Sequence, residues 1–314
     1  MSNDFLWVEK YRPHKVEDCI LPDSMKKTFQ AFVDGKEIPN LLLKGSPGVG
    51  KTTIAKALCD QLGASFIVIN GSDEGRFLDT IRSRVKKFAT TVSLTSSANH
   101  KVVIIDEADN TTDDVQKSLR SFIEEFHSNC RFIFTCNYPN RIIEAIHSRC
   151  TVVNFDYTSV NQQKLQAQFF NRLREILTEN EVTFDNKILA GIVMHYYPDW
   201  RRTLNEVQRF SATGELSPVA LQDISDVTID QLAGLMKNRK FTEMRKWVVD
   251  NSDKSPTSLF RKFYDSLSKK MTHASVPELV LILAKYQHWS KGVDDQEINT
   301  IACLTEIMMS CEFK

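Results

Sequence analysis

The chain has 314 residues, 42% of them hydrophobic and 25% charged, which fits a globular protein with room for two or three domains. Lysine plus arginine equals aspartate plus glutamate at 40 each, so whole-chain charge gives no sign of nucleic-acid binding and any such contact has to come from a local patch. No apolar run reaches membrane-spanning length, the opening MSNDFLWVEKYRP lacks the basic start and apolar core of a secretory signal, and seven cysteines lie scattered without a CxxC pair, so a cytoplasmic protein with reduced thiols, no disulfide, no zinc and no membrane partner is expected.

The first strand-like run, residues 40–44, leads into Gly45 to Thr52, GSPGVGKT, a match to the pattern GxxxxGK[ST], and then into the helix-compatible stretch 54–62. Glycines at 45, 48 and 50 let the backbone turn tightly and aim successive N–H groups inward, while the following helix points its positive dipole end at the same spot. Such a nest suits a phosphate, so Gly48, Val49, Gly50, Lys51, Thr52 and Thr53 are expected to cradle ATP. Lys51 would place its ammonium on the β- and γ-phosphates, and the Thr52 hydroxyl would be a ligand of Mg2+.

A second strand-like run at 65–69 precedes RFLDTIRSRVKKFAT, residues 76–90, the densest basic stretch of the chain. At helical spacing Arg82 and Lys86 share a face, with Arg76 a candidate third member, while Ile81, Val85 and Phe88 point inward, a geometry suited either to tracking a phosphate backbone or simply to a solvated helix surface. No base-reading constellation is visible, so any DNA contact would depend on shape and salt. VVIIDE, residues 102–107, is a hydrophobic strand ending in two carboxylates. Beside a phosphate loop, Asp106 is expected to hold magnesium and Glu107 to orient and deprotonate the attacking water; alone, strand-end acids are often only helix caps. Gln116 and Arg120 follow one helical turn apart, either as an exposed polar face or as a link between a DNA chamber and the ATP site.

Further strand-like runs at 131–135 and 151–155 complete an alternation of strands and helices, and their nearly continuous apolar character predicts a parallel sheet buried on both faces. Beyond residue 155 apolar residues recur at helical spacing (Leu165, Phe169, Leu173, Leu177), with one linker-like stretch at 211–218. The expected fold class is α/β: a nucleotide domain at 1–155, a small helical lid with linker at 156–225 and an all-α part at 226–314. DEAD at 106–109 and SAT at 211–213 spell helicase motifs, but the second α/β domain that a helicase requires has no counterpart in the helical remainder.

With these motifs placed, the chain resembles the AAA+ sliding-clamp loaders, the family containing replication factor C and the bacterial γ/τ subunits. The residues that carry the resemblance are Val8-Glu9-Lys10-Tyr11-Arg12-Pro13, Asn137 in FTCN (sensor 1), Ser148-Arg149-Cys150, and DWRRTLNEV at 199–207 with Arg201 at the sensor 2 position. Among members, EKYRPHKVEDCILP, NGSD and QKSLRSFIEEFHSNC look most like the large, ATPase subunits of T-even-type bacteriophage loaders, with the small subunits of replication factor C a looser match.

The resemblance implies an AAA+ P-loop ATPase domain with lid and oligomerising collar, ATP and Mg2+ as cofactors, and Val8, Glu9, Lys10, Tyr11 and Ile20 around the adenine. It implies that Asn137 and Arg201 approach the γ-phosphate, that Arg149 enters the neighbouring subunit's site, that Arg76, Arg82 and Lys86 follow the template strand, and that Gln116 couples subunits. The implied partners are the sliding clamp, a clamp-loader small subunit, other copies of this chain in a ring or spiral, primer–template DNA and, indirectly, DNA polymerase, in a host cytoplasm if phage-encoded. Another DNA-associated AAA+ machine, such as a branch-migration motor or helicase loader, an ATP-switched scaffold and a metabolite kinase are the competing readings.

Overall fold

A computed structural model of the chain describes residues 5–72, 78–91, 98, 100–157, 159–216, 227–250, 256–290 and 292–314. The chain divides into two compact units, Met1–Ile224 and Ser225–Lys314.

The first unit opens with two helices, α1 (Trp7–Lys10) and α2 (Asp23–Asp34). Strands and helices then alternate: β1 (Leu41–Lys44), α3 (Lys51–Leu62), β2 (Phe66–Asn70), α4 (Leu78–Thr90), β3 (Lys101–Asp106), α5 (Asp113–Glu125), β4 (Cys130–Cys136), α6 (Glu144–His147) and β5 (Thr151–Asn154). All pairings are parallel and the strand order is β2-β3-β4-β1-β5.

Strand side chains alternate between faces, so a sheet covered on both sides needs apolar residues at every position. Leu41 and Leu43 pack with Val102, Ile104 and Ile133 against Phe29, Ile54 and Leu58 of α2 and α3. Leu42 points the other way, joining Val103, Ile105, Phe132 and Phe134 against α4 and α5 through Ile81, Val85, Leu119 and Phe122. Burying one such phenylalanine or leucine contributes about 1.5–3 kcal/mol, so the two layers fix the sheet firmly. The expectation of burial on both faces fails at β5, where Val152 is 41% exposed and most residues face solvent. Among the described residues β5 pairs only with β1 and lies at the sheet edge, with Val153 packed against the α2–α3 core while the other residues of the strand face solvent.

Three more helices follow among the described residues of this unit: α7 (Ser159–Glu179), α8 (Asn186–Tyr196) and α9 (Trp200–Phe210). The positions read at helical spacing, Leu165, Phe169, Leu173 and Leu177, form their core with Ile192, Trp200 and Val207, and Trp7 from α1 joins them. The first part of the linker-like stretch is tied down, since Leu216 is buried and its N–H donates to the Thr183 carbonyl at 2.8 Å. Residues 217 and 218 lie outside the described residues.

The second unit contains α10 (Val227–Lys237), α11 (Phe241–Asp250), α12 (Pro256–Lys270), α13 (Val276–Trp289) and α14 (Gln296–Ser310). They share a separate core that includes Leu232, Met244, Phe263, Leu283 and Leu304. All seven cysteines are free and all but Cys150 are buried. Among the described residues no helix is long and apolar enough to cross a membrane.

Candidate nucleotide site

The strand order decides what meets at the carboxyl edge of the sheet. β4 lies between β1 and β3, so the loop after β1, the acids ending β3 and the asparagine following β4 converge although distant in sequence. Glycines 45, 48 and 50 all adopt positive φ (148°, 75° and 97°), the conformation that the tight loop requires. The Lys51 side chain is buried and its Nζ donates to the carbonyls of Gly45 and Ser46 at 2.7 and 2.8 Å and to Asn137 Oδ1 at 2.8 Å. Burial lowers the pKa of the ammonium, while Cys136, Asp109, Asp106 and Asp156 act in the opposite sense.

Thr52 Oγ1 donates to Asp106 Oδ1 at 2.7 Å, and Thr135 Oγ1 donates to the same oxygen at 2.6 Å. Two hard oxygen donors, a hydroxyl and a carboxylate, thus stand side by side beneath the phosphate loop, a donor set that fits Mg2+ completed by water and phosphate oxygens. Thr135 also accepts the Glu107 backbone N–H at 3.0 Å, so one hydroxyl ties both acids to β4.

Glu107 has φ of 54°, a left-handed conformation that costs a non-glycine residue about 1–3 kcal/mol and recurs at functional sites. Its carboxylate is held by the Ser72 hydroxyl and by Asn110 Nδ2, the latter at 3.2 Å. β2 ends hard against this turn. A Cβ at Gly71 would lie 2.3 Å from the Glu107 carbonyl oxygen, so only glycine lets the two segments approach this closely.

From the other side, α9 reaches the loop directly. Asp199 caps the helix by accepting the Arg202 N–H at 2.9 Å, and the Trp200 N–H donates to the Gly48 carbonyl at 3.1 Å. A Cβ at Gly48 would stand 1.8 Å from Asp199 Oδ1, so the contact leaves no space for a side chain.

One cleft is lined by Val8, Tyr11, Ile20, Gly48, Val49, Gly50, Lys51, Thr52, Thr53, Asp106, Glu107, Asn137 and Arg201. Its apolar end, next to Ile176 and Leu204 of the helical layer, suits a flat base. Tyr11 is anchored there by Asn180 Nδ2, which donates to its hydroxyl at 2.6 Å. Cys19 also lines this end, and burial pushes its thiol pKa up to about 12, so it acts as a small apolar wall rather than a nucleophile.

Other expected site residues lie elsewhere. Glu9 and Lys10 are absent from the lining: the Glu9 carboxylate pairs with Arg12, which lowers its pKa, and Lys10 Nζ sits 4.7 Å from the Tyr11 ring centre. Arg149 is held outside the cleft by Glu124, with Nε at 2.9 Å and Nη2 at 2.6 Å, while Nη1 donates to the Ala145 carbonyl at 2.9 Å. Arg120 approaches the same carboxylate at 3.8 Å.

Gln116 is not on an exposed face. It is 1% exposed, accepting the Ile143 N–H at 2.8 Å and donating to the Arg141 carbonyl at 3.0 Å, because α5 packs directly against the segment that leads to α6. On α4, Ile81 and Val85 are buried and Phe88 half-buried, while Arg82 and Lys86 are exposed along the seam with α5. Arg82 Nη2 donates to Ser118 Oγ at 3.0 Å, and Lys86 Nζ lies 6.0 Å from the Phe122 ring centre. Arg76 lies outside the described residues.

Thr135, Ser72 and Asn110 escape sequence reasoning. Each is a common polar residue without a motif of its own: Thr135 meets Asp106 across from the neighbouring strand, and Ser72 and Asn110 meet Glu107 from the turns that follow β2 and β3.

A parallel sheet with a phosphate loop, a strand-end acid pair and a helical layer over the cleft defines an AAA-type ATPase, and residues 41–157 match the family described as ATPases associated with various cellular activities. The chain is 35% identical over 261 residues to the sliding-clamp-loader large subunit of Escherichia phage RB69, covering 80% of each protein. It is 35% identical over 254 residues to the corresponding subunit of Enterobacteria phage T4, covering 78% of each, and 33% identical over 321 residues to the replication factor C small subunit of Thermofilum pendens, covering 97% and 96%. A solved RuvB mutant from Thermotoga maritima shares the fold, with a TM-score of 0.53 at 16% identity over 69% of this chain and 73% of that one. The chain belongs to the sliding-clamp-loader family of AAA+ ATPases.

Proposed function

We propose that this chain is the ATP-hydrolysing subunit of a loader that opens a ring-shaped clamp and closes it on primer–template DNA, and that each ATP site is completed by the next subunit. One observation carries the proposal: Lys51, Thr52, Asp106, Glu107, Asn137 and Arg201 line one cleft of a single chain, whereas Arg149, the arginine expected at a neighbour's γ-phosphate, is held away from it by Glu124.

When bound, Mg2+ would screen the triphosphate charge, with Thr52 and Asp106 as its protein-side donors. Lys51 already points into the loop and exchanges the Gly45, Ser46 and Asn137 oxygens for phosphate oxygens. Asn137 then has its carboxamide released to meet the γ-phosphate or the attacking water. Glu107 leaves Ser72 and Asn110 to orient that water and take its proton. Arg201 approaches from the lid and Arg149 from the neighbour, supplying positive charge where it develops in the transition state. Loss of the γ-phosphate removes these contacts together, so the assembly loosens and the clamp is left closed.

Residues 156–225 serve as the lid and residues 226–314 as the collar that holds copies of this chain and a small subunit in a ring or spiral, acting in the cytoplasm. Gln116 fastens α5 to the backbone of Arg141 and Ile143, on the way to α6 and Arg149, so it can transmit strain between the DNA side and the seam. The test is ATP hydrolysis by the reconstituted loader with and without clamp and primed DNA. Both should raise turnover, and an isolated subunit that hydrolyses ATP at the assembled rate would overturn the shared site.

Arg82 and Lys86 are proposed to follow the template backbone. Replacing Arg82 and Lys86 by glutamate should weaken DNA-stimulated turnover and lower the log–log salt slope of DNA binding by about one for each lost phosphate contact. Stimulation and slope equal to wild type would remove α4 from the DNA path.

A further inference from the structure

Asp109 has no role in the reaction just described, yet it is one of the few acidic side chains the fold encloses, at 5% exposure in the short turn after β3. Its Oδ2 accepts two backbone N–H groups, from Asn137 at 3.1 Å and from Tyr138 at 3.0 Å. Its Oδ1 is equally enclosed and has no hydrogen-bond partner among the described residues.

The two N–H groups belong to the residues directly after β4, where the ladder with β3 has ended and no strand partner remains for them. A neutral acceptor could satisfy both donors without the cost of desolvating a charge, which is greater when one oxygen goes unpaired. The carboxylate adds something that a neutral group cannot, a negative charge acting on Lys51, whose ammonium in turn grips Asn137 Oδ1 at 2.8 Å. Asp109 therefore fixes the backbone of Asn137 directly, and its charge favours the ammonium that holds the Asn137 carboxamide.

We propose that Asp109 is a positioning residue for Asn137: by fixing the end of β4 it sets where the Asn137 carboxamide stands, and so how sharply the site separates ATP from ADP. This rests on the reading of Asn137 as the γ-phosphate contact. ADP lacks the group that Asn137 would meet, so disordering Asn137 should cost affinity for the triphosphate alone.

The experiment compares Asp109→Ala, Asp109→Asn, Asn137→Ala and the Asp109→Ala/Asn137→Ala double variant in the full chain, with ATPγS and ADP as probes. Asp109→Ala should lower the preference for ATPγS over ADP by about tenfold, with ADP affinity within about twofold of wild type, and should lower kcat of the assembled loader by a similar factor. Asp109→Asn, whose carbonyl oxygen can still accept both N–H groups, should recover the part of that loss that runs through the backbone of Asn137 and leave the part that runs through the charge on Lys51. In the Asn137→Ala background, Asp109→Ala should cost nothing further. In nucleotide-free protein, amide exchange at residues 137 and 138 should quicken in Asp109→Ala while β3 and β4 stay protected. If the alanine variant does not fold, Asp109→Leu, which fills the same space without an acceptor, takes its place.

An equal loss for ATPγS and ADP, or a full additional loss on top of Asn137→Ala, would make Asp109 a purely structural residue and overturn the inference. If Asn137→Ala itself leaves nucleotide preference and hydrolysis unchanged, the assignment of Asn137 fails and the inference falls with it. A sensitive Asn137→Ala beside an insensitive Asp109→Ala defeats the inference alone.

Discussion

In the reconstituted loader, Arg149→Ala should lower ATP hydrolysis by about 10³-fold or more while leaving nucleotide affinity nearly unchanged. An arginine delivered to a phosphoryl transition state is worth about 10³–10⁵ in rate, or about 4–7 kcal/mol, because its charge is fixed where negative charge accumulates. Binding is spared because the residues that cradle phosphate and base in the cleft belong to one chain, and Arg149 is not among them. In the single chain the guanidinium rests on Glu124, whose carboxylate pKa Arg149 lowers chiefly by hydrogen bonding. That pair faces solvent, so Arg149 can exchange Glu124 for a neighbour's phosphate without leaving a buried charge behind. Single-turnover hydrolysis and nucleotide titration on the same assembly separate the two effects. A mutant that hydrolyses at the wild-type rate would place Arg149 outside the reaction.

Glu107→Gln should cost about 10²–10⁴ in hydrolysis, the usual contribution of a positioned general base, yet still permit clamp opening. Glutamine preserves size and can keep contacts with Ser72 and Asn110, so the left-handed turn at residue 107 and the Thr135 bond to its N–H should persist. What it loses is the ability to accept the proton of the attacking water. Because the nucleotide would stay intact, the mutant should hold an open or loosely closed clamp on primed DNA for much longer than wild type, as a fluorescence assay of clamp closure would record. Rapid release by Glu107→Gln would remove Glu107 as the base.

The parts of the site that could be read from the chain are those with short-range logic. The phosphate loop is a fixed spacing between a strand and a helix, and Asp106–Glu107 announce themselves as acids ending an apolar run; neither needs knowledge of the strand order. Thr135 and the double acceptor role of Asp109 depend on β4 lying beside β3, and the contact of Ser72 with Glu107 and Asn110 depends on β2 lying on the other side of β3, adjacencies that no local pattern encodes. Gln116 shows the opposite difficulty. Helical spacing marks it as polar and invites an exposed reading, but a segment far along the chain covers it and uses both ends of its amide. β5 looked as apolar as the other strands, and only its place at the sheet margin leaves Val152 in water.

The hydrogen bond from the Trp200 N–H to the Gly48 carbonyl seats the first turn of α9 on the phosphate loop, where it could serve as a pivot. A lever hinged at that point moves little near the loop and far at its distal end. Small displacements of the triphosphate would thus be magnified along the helix, and Arg201, one residue beyond the fulcrum, would shift little. If residues 156–225 act as the proposed lid, this cap would stay registered on the nucleotide while the outer surface of the lid moves relative to an adjoining subunit.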